Sequence, residues 1–388
     1  MADTIFPLND PLAVEVWGRK LYNEALKATE MMKFVGDTPD SVIQVRDELS
    51  ASAGAKITYG LRMQLNGPGV TGDATLEGNE ESLTRHTDSI IIDQLRHAVK
   101  VVGSVSQQRV PFSVRAEGES GLGDWWTGRI DTSMFNQLGG NTGQSLINYT
   151  GLQGTNAPST TAGNSRHLIA DRFTDGAYVG AGTNEATIGG HVSASNKEAP
   201  FRLELIDRAV VKARTLSPAI RPIKLNGMTC YAQFVHPHQV LQLRQNSTSG
   251  QWLDIQKAAM TGGLVSKNPI FTGALGMYNN TILHDAVRCP FGSNAQIGAN
   301  TNTDLGAAAA GTTDIARSIF VGAQAGAIAF GRSYGYTGGN IRFKWVEVLR
   351  DYENQLGISA ALVWGMKKTR FNGNDFGSIV VSSVSPGV

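Results

Sequence analysis

The sequence predicts a protein of the α+β class, in which helices and strands are mixed without regular alternation. Three observations support this prediction: a strand-like run at Ile57–Leu65, a long amphipathic helix pattern at Val114–Leu138, and a strand-rich last third. At 388 residues the chain also exceeds what one hydrophobic core usually organises. We therefore expect two lobes or one elaborated core.

The composition disfavours several classes of protein. The formal net charge is +1 with acidic and basic residues interspersed, which argues against a strongly basic nucleic-acid reader. Cys230 and Cys289 lie far apart without metal-ligand spacing, so reduced thiols are expected. No signal peptide pattern and no apolar run of membrane-spanning length is present, which favours a soluble protein made in a cytoplasm. Abundant glycine and few charges favour a surface covered by partners, although a loop-rich monomer has the same composition.

The first elements are a helix and a long arm. Helical spacing of apolar residues predicts a helix over Pro11–Phe34, and period-two alternation predicts a strand over Ile57–Leu65. A glycine-rich tip follows at Asn66–Ser82, and a second strand-like run returns over Leu83–Val102. Within this return, Gln94–Lys100 also fits a helical turn. Because isolated two-stranded ribbons are marginal in water, we expect another molecule to cover the arm.

The next element is the helix Val114–Leu138, whose apolar ridge repeats every four residues. Four glycines oppose it at about 1 kcal/mol each, so tertiary packing must hold this helix. The segment Asn141–Ala199, rich in Gly, Ser, Thr and Asn, is either a long surface insertion or a set of short strands. Phe291–Thr313, rich in Gly, Asn, Ala and Thr, is predicted to be a second loop. The other predicted elements are helices Phe201–Leu216 and Trp252–Met260 and strands Met228–Val235, Ile319–Val321, Ala327–Phe330, Ile341–Leu349 and Ile358–Trp364.

Motifs that would carry chemistry are weak. Gly67–Gly72 matches G-x-G-x-x-G after a strand, but no amphipathic helix follows, which favours a flexible arm tip over a nucleotide site. His236, His238 and the His284-Asp285 pair are the places where an enzyme would have its site. No nucleophile turn or zinc spacing accompanies them, so packed or solvated histidines are favoured. We predict no cofactor and no metal.

Two further clusters have plain structural interpretations. Trp125 and Trp126 fit the core better than a stacking platform for a ligand. The basic run Lys367–Arg370 is interpreted as a solvated turn rather than a phosphate contact.

In its order of elements the chain resembles one family of tailed-bacteriophage major capsid proteins. The residues that carry the resemblance extend from about Pro11 to Val381, and their order and spacing make it specific. They are the arm, Leu122–Trp125, Arg129–Asp131, Phe135, Arg221–Ile223, Phe234–Pro237, Leu243-Arg244, Phe320–Gly322, Gly326–Phe330 and Trp364–Lys367.

The resemblance implies the Hong Kong 97-type capsid fold, with Val114–Leu138 as the long spine helix and the two-stranded arm lying over a neighbouring subunit. The implied regions are an N-terminal arm (1–56), the extended loop (57–102), the peripheral domain with its spine helix and a Gly-rich insertion (103–216), the axial domain (217–330) and a return to the peripheral domain with a C-terminal strand (331–388).

The resemblance also implies partners. Copies of the chain would form hexamers and pentamers. The other implied partners are a portal, an optional decoration protein and packaged double-stranded DNA, which would be contacted nonspecifically. The arm tip lacks lysine, so the lysine–asparagine crosslinking of the fold's namesake is not expected there. Because no long charged helix precedes the first arm, a separate scaffolding protein is expected. No membrane contact is expected.

The predicted function is therefore the shell-forming subunit of a phage head, assembled in the cytoplasm of the host and located in the virion, without enzymatic activity. Two alternatives stay open: another phage structural component, such as a tail tube or decoration protein, and an α+β enzyme. The residues predicted to contact neighbouring subunits lie in the first helix and the arm: Trp17, Met63, Gly67, Gly69, Gly72 and Leu76.

Overall fold

The computed structural model describes most of the chain from residue 30 onward. The described residues are 30–48, 54–62, 65, 67, 69–73, 75–101, 103, 108–109, 113–143, 149–151, 156–159, 164–170, 173–174, 177–178, 200–225, 228–246, 274–292, 314–331, 343–352 and 354–385. The predicted helix Pro11–Phe34 lies outside them except for its end, where Met31–Phe34 forms a 3-10 helix. The predicted helix Trp252–Met260 lies outside them altogether.

Helices and strands are mixed along the described chain, as the α+β class requires. The helices are α1 (Val114–Leu138), α2 (Leu203–Thr215) and α3 (Pro237–Asn246). The strands are β1 (Val35–Gly36), β2 (Ile43–Arg46), β3 (Lys56–Arg62), β4 (Arg85–Ile91), β5 (Asp93–Val101), β6 (His167–Ile169), β7 (Phe173–Thr174), β8 (Ala177–Tyr178), β9 (Ile223–Leu225), β10 (Met228–Val235), β11 (Ala274–Tyr278), β12 (Thr281–Asp285), β13 (Phe291–Gly292), β14 (Asp314–Val321), β15 (Gly326–Phe330), β16 (Phe343–Arg350), β17 (Gln355–Lys368), β18 (Arg370–Phe371), β19 (Asn374–Asp375) and β20 (Ser378–Ser385).

The long helix α1 has the bounds that the sequence predicts. The Ser113 hydroxyl accepts a hydrogen bond from the Ala116 amide at its start, and the Gly139 amide donates to the Phe135 carbonyl at its end. Its ridge is buried throughout, with each of Leu122, Trp126, Ile130, Met134 and Leu138 at most 1% exposed. This burial supplies the tertiary packing that a helix with four interior glycines needs.

The ridge of α1 packs on a six-stranded sheet in which β17 is the central strand. One side of β17 pairs with β5, and the other pairs with β16 and then with β15, beyond which β2 and β1 continue the sheet. Ile358, Leu362 and Trp364 of β17 belong to the same buried cluster as the α1 ridge. The face of the sheet toward α1 is therefore the core face.

A second sheet of eight strands carries α2 and α3. Its order is β11-β12-β10-β14-β20-β6, with β9 on β10 and β13 on β14. Ile206 and Val210 of α2 and Leu243 of α3 share a buried cluster with Phe320 of β14 and Ile379 of β20. Strand Met228–Val235 was predicted with the same bounds that β10 has.

The arm is shorter than the sequence predicts. Strand β3 pairs with β4 from Lys56–Ile91 to Arg62–Arg85. The predicted return Leu83–Val102 is not one arm strand, because the chain leaves the ribbon at Ile92 and β5 then pairs with β17 in the six-stranded sheet. The alternative of a helical turn at Gln94–Lys100 is wrong for the same reason.

The predicted domain limits stay a prediction. The eight-stranded sheet joins strands from the middle of the chain to β6 and to β20 near its end, and the six-stranded sheet joins β2, β5, β15, β16 and β17. Any division into domains must keep these long-range pairings together.

Candidate assembly surface

The base of the arm is fixed to its own molecule by apolar packing. Ile57 and Ile90 are 7% and 0% exposed and pack against Ala327 and Ala329 of β15. At Gly365 of β17 a Cβ atom would lie 2.1 Å from the carbonyl oxygen of Ile91, so only glycine permits this approach. The ribbon therefore rests directly on the backbone of the sheet.

Asp88 is the polar centre of this contact. Its Oδ2 accepts hydrogen bonds from the Tyr59 hydroxyl at 3.0 Å and from the Arg370 amide at 2.9 Å, and its Oδ1 accepts from the Lys367 ammonium. Burial and the neighbouring Asp88 carboxylate raise the pKa of Tyr59, which keeps the phenol protonated as a donor. A buried acid that accepts hydrogen bonds from donors on β3, β17 and β18 fixes the direction in which the arm leaves the body.

The tip of the arm, residues 65–84, has the opposite character. Leu65, Leu76 and Leu83 are 52%, 63% and 50% exposed. Two hydrogen bonds join residues of the tip: Glu81 accepts from the Gly67 amide at 2.6 Å, and Glu80 accepts from the Gly78 amide at 2.8 Å. The described part of the tip thus carries large exposed apolar side chains.

The structure places four of the six predicted contact residues on this tip. Gly67, Gly69 and Gly72 are exposed, and the latter two have φ of 73° and 66°, a conformation that favours glycine. Leu76 is the most exposed of the three leucines. Met63 and Trp17 lie outside the described residues. Contact of these residues with a neighbouring subunit stays a prediction.

The histidines are not gathered into one polar site. The rings of His236 and His238 stack on each other at 5.1 Å and on Phe291 at 4.7 and 4.5 Å. Burial, with a smaller contribution from His238, lowers the pKa of His236 to about 4, so this ring is neutral at physiological pH. His284 lies between Phe34 and Phe234, with ring centroids 5.2 and 5.6 Å away.

Asp285 does not complete a triad with these histidines. It is exposed, and its pKa is raised by partial burial against the lowering effect of Arg244. Among the described residues no three His, Cys, Asp or Glu side chains are close enough to hold a metal ion together. Cys230 and Cys289 are free buried thiols, whose pKa burial raises. These groups thus belong to the packing of the two sheets.

Two other sequence clusters are integrated into the core. Trp126 is buried, as predicted, and Trp125 stacks on His97 of β5 at 4.2 Å. The interpretation of Lys367–Arg370 as a solvated turn is wrong. Lys368 is fully buried and its ammonium lies 3.0 Å from Asp375, which Arg370 also contacts at 2.7 Å. Burial lowers the pKa of Lys368 to about 8, and Asp375 partly opposes that shift.

Sequence reasoning did not identify Asp88 or Gly365, although each leaves a signal. A lone glycine within a strand pattern indicates close approach of another backbone, and Gly365 interrupts the apolar run of β17 in this way. A carboxylate on a half-buried strand needs a hydrogen-bond or ion-pair partner when it faces the interior, and Asp88 is such a residue.

Comparison with known proteins identifies the family of this chain. The sequence profile of the phage capsid protein family matches residues 5–387. The chain belongs to this family. Over 383 residues it is 28% identical to the major capsid protein of Pseudomonas phage KPP25, and the match covers 94% of this chain and 93% of that protein.

Solved capsids have the same fold. The capsid of Ralstonia phage GP4 superposes with a TM-score of 0.75 at 28% identity and covers 100% of this chain and 99% of that chain. The capsid of cyanophage Pam1 superposes with a TM-score of 0.68 at 20% identity and covers 94% of each chain. The predicted α+β Hong Kong 97-type fold is confirmed.

The resemblance to phage major capsid proteins is also confirmed, as is the predicted function as a structural subunit of the capsid. Because capsids are assembled from repeated subunits, the chain associates with other copies of itself. The protein is located in the virion head. The matched family is structural rather than enzymatic. In the part of the chain that the structure describes, no helix has the length and apolar character that a membrane span requires.

Proposed function

We propose that many copies of this chain close into the icosahedral shell that encloses the double-stranded DNA of a tailed bacteriophage, with the arm of each copy lying over an adjacent copy. The observation that carries this proposal is the contrast within the arm. Its base is fixed by Asp88 and Gly365, whereas three leucines of its tip are at least half exposed. Apolar side chains held away from their own core gain burial only from a second molecule.

The regions of the chain have distinct places in this shell. The axial domain occupies the centres of hexamers and pentamers, and the peripheral domain with its spine helix occupies their edges. In this proposal the six-stranded sheet with α1 forms the peripheral domain, and the eight-stranded sheet with α2 and α3 forms the axial domain. This division keeps the pairs β15–β17 and β14–β20 together, each of which crosses residue 330. Each contact is weak by itself, and closure of the shell sums the contacts of every subunit with several neighbours.

Other partners follow from the same role. A separate scaffolding protein directs assembly in the host cytoplasm, a portal occupies one vertex, and a decoration protein is a further partner of the outer surface. Contact with packaged DNA is through phosphates and independent of base sequence. It is modest, because the net charge of the chain is only +1. The chain performs no catalysis of its own.

Deletion of residues Gly67–Gly78 tests this proposal, with electron microscopy of the purified protein as the readout. We expect the wild type to form closed shells or capsomer sheets and the deletion variant to form none while remaining folded. A variant in which the same segment is replaced by a glycine-serine linker of equal length is the control for arm length. It is expected to fail as well, because it lacks the side chains of the tip.

The other outcomes contradict the proposal in different ways. Tubes formed by the wild type would indicate a tail component, and discrete monomers or small oligomers would leave the enzyme hypothesis open. Regular particles from the deletion variant would show that the tip is not required between subunits.

A further inference from the structure

Within the described part of the chain, the face of the six-stranded sheet that points away from α1 is covered on one half only. The base of the arm lies over β15 and the last part of β17, where Ile57 and Ile90 meet Ala327 and Ala329. The other half consists of β5, the first part of β17 and β16. On these strands alternate residues point outward, because Leu95, Ile358 and Trp345 point toward α1.

The uncovered half is basic. Its outward residues include Arg96 and Lys100 of β5 and Lys344 and Arg350 of β16. Arg96 and Lys344 flank Ala361 in one row across three strands, so their Cα atoms lie roughly 10 Å apart. Within the described residues none of these four side chains forms an ion pair. We call this surface the basic face.

The basic face also offers small and apolar surface between its charges. Ala98 is exposed, Ser359 is half-buried, and Val348 is 40% exposed. A partner that matches this face needs negative charge together with apolar side chains. It also needs to be a thin segment that fits among the basic side chains.

The tip of the arm meets these requirements. Residues 65–84 include Asp73, Glu77, Glu80 and Glu81 and contain no lysine or arginine. The same segment carries the three exposed leucines. Its charge of −4 opposes the charge of +4 contributed by Arg96, Lys100, Lys344 and Arg350.

We propose that the basic face of one subunit is the docking site for the arm tip of a second copy of this chain. This inference rests on the proposed function and specifies its contact. The occupant is the tip and not DNA, because phosphates would match the charges but leave Val348 and the leucines uncovered. Electrostatic complementarity of this kind fixes the register of an interface and excludes wrong partners.

Charge reversal on both surfaces tests the docking site. Arg96→Glu with Lys344→Glu is expected to lower the yield of particles by about tenfold or more, and Asp73→Lys with Glu77→Lys is expected to do the same, because like charges would then face each other. Combining the four substitutions is expected to restore assembly. Asp73 and Glu77 are suitable because the tip's own hydrogen bonds use Glu80 and Glu81 instead.

The matched control is Arg214→Glu with Lys224→Glu, which changes the net charge equally at exposed positions on α2 and β9. It is expected to leave particle yield unchanged. If the four substitutions together do not restore assembly although the tip deletion abolishes it, the arm still acts between subunits but docks elsewhere. Normal particles from the tip deletion would instead contradict the proposed function itself.

Zero-length carbodiimide crosslinking of assembled particles gives an independent measurement. It joins lysine amines to carboxylates in contact, so mass spectrometry should find Lys100 or Lys344 joined to residues 65–84. Particles assembled from a mixture of ¹⁴N- and ¹⁵N-labelled subunits should contain these crosslinks between different labels. Crosslinks only within one subunit or only to other segments would overturn the docking site. The docking site would also be contradicted if charge reversal of the basic face abolished binding of duplex DNA but left assembly unchanged.

Discussion

The two ends of the arm differ in burial: the base packs against its own subunit, whereas the tip is exposed. At its base, Ile90 is fully buried and Asp88 satisfies donors from Tyr59, Lys367 and Arg370. At its tip, Leu76 is 63% exposed and Glu81 accepts a hydrogen bond from the Gly67 amide of the same tip. The base therefore contributes to the stability of the subunit, whereas the tip leaves apolar surface exposed, which the proposed function assigns to association. Substitutions at the two ends should separate folding from assembly.

The largest effect on folding is expected from Gly365→Ala. The new Cβ would lie 2.1 Å from the Ile91 carbonyl oxygen, so the ribbon must move off the sheet, at a cost of about 3 kcal/mol or more. Denaturant unfolding of the purified subunit measures this loss.

The matched control is Gly357→Ala on the same strand, where a Cβ would lie 3.5 Å from the Val348 carbonyl oxygen, an ordinary contact. We expect this control to unfold like the wild type. Equal stability of both variants would mean that the ribbon is not seated on β17.

A somewhat smaller loss is expected from Asp88→Ala. Removing the acceptor leaves the Tyr59 hydroxyl, the Lys367 ammonium and the Arg370 amide without their shared partner, which should cost about 2–3 kcal/mol. Amide hydrogen exchange should also accelerate in Lys56–Arg62 and Arg85–Ile91 before the rest of the protein opens. Asp73→Ala, which removes an exposed tip carboxylate, serves as the comparison and should change neither quantity.

The smallest effect on folding is expected at the tip itself. Leu76→Ser with Leu83→Ser should change the free energy of unfolding by less than about 0.5 kcal/mol, since both side chains are exposed in the subunit. Each leucine buried against a neighbour contributes about 1 kcal/mol to association. The protein concentration needed for assembly should therefore rise by about tenfold or more.

Val211→Ser on α2 provides the reference for the leucine pair, because Val211 is 60% exposed but lies away from the arm. Light scattering during assembly compares the two. A shift of the same size for Val211→Ser would show that general loss of apolar surface, and not the tip, controls association.

An element of this fold can be predicted from sequence when the residues that determine it lie within one short segment. Helix α1 was predicted with its observed bounds because its ridge, the cap at Ser113 and the stop at Gly139 all lie within one segment. Strand β10 was likewise predicted with its observed bounds, because its residue pattern lies within one segment. The helix α3 was not predicted, because only Val240 and Leu243 mark its buried apolar side.

The rest depends on pairing between distant segments, which no local pattern contains. Strand β20 was predicted only as a C-terminal strand without bounds, because its partners β14 and β6 are far away in the chain. The division of the return run at Ile92 follows from the pairing of β5 with β17, more than 250 residues later. The basic face has the same origin, since Arg96 and Lys344 become neighbours only through the register of three strands.

The unbroken passage from β4 into β5 has a mechanical consequence. A pull on the distal end of the ribbon, such as pressure from a filled head would produce, travels along residues 85–101 into a strand that pairs with β17 over nine residue pairs. Because those backbone bonds run perpendicular to the strands, the load acts on them in shear and they must yield together instead of unzipping singly. In the proposed shell, tension between adjoining copies would thereby reach the middle of a sheet against whose other face α1 packs.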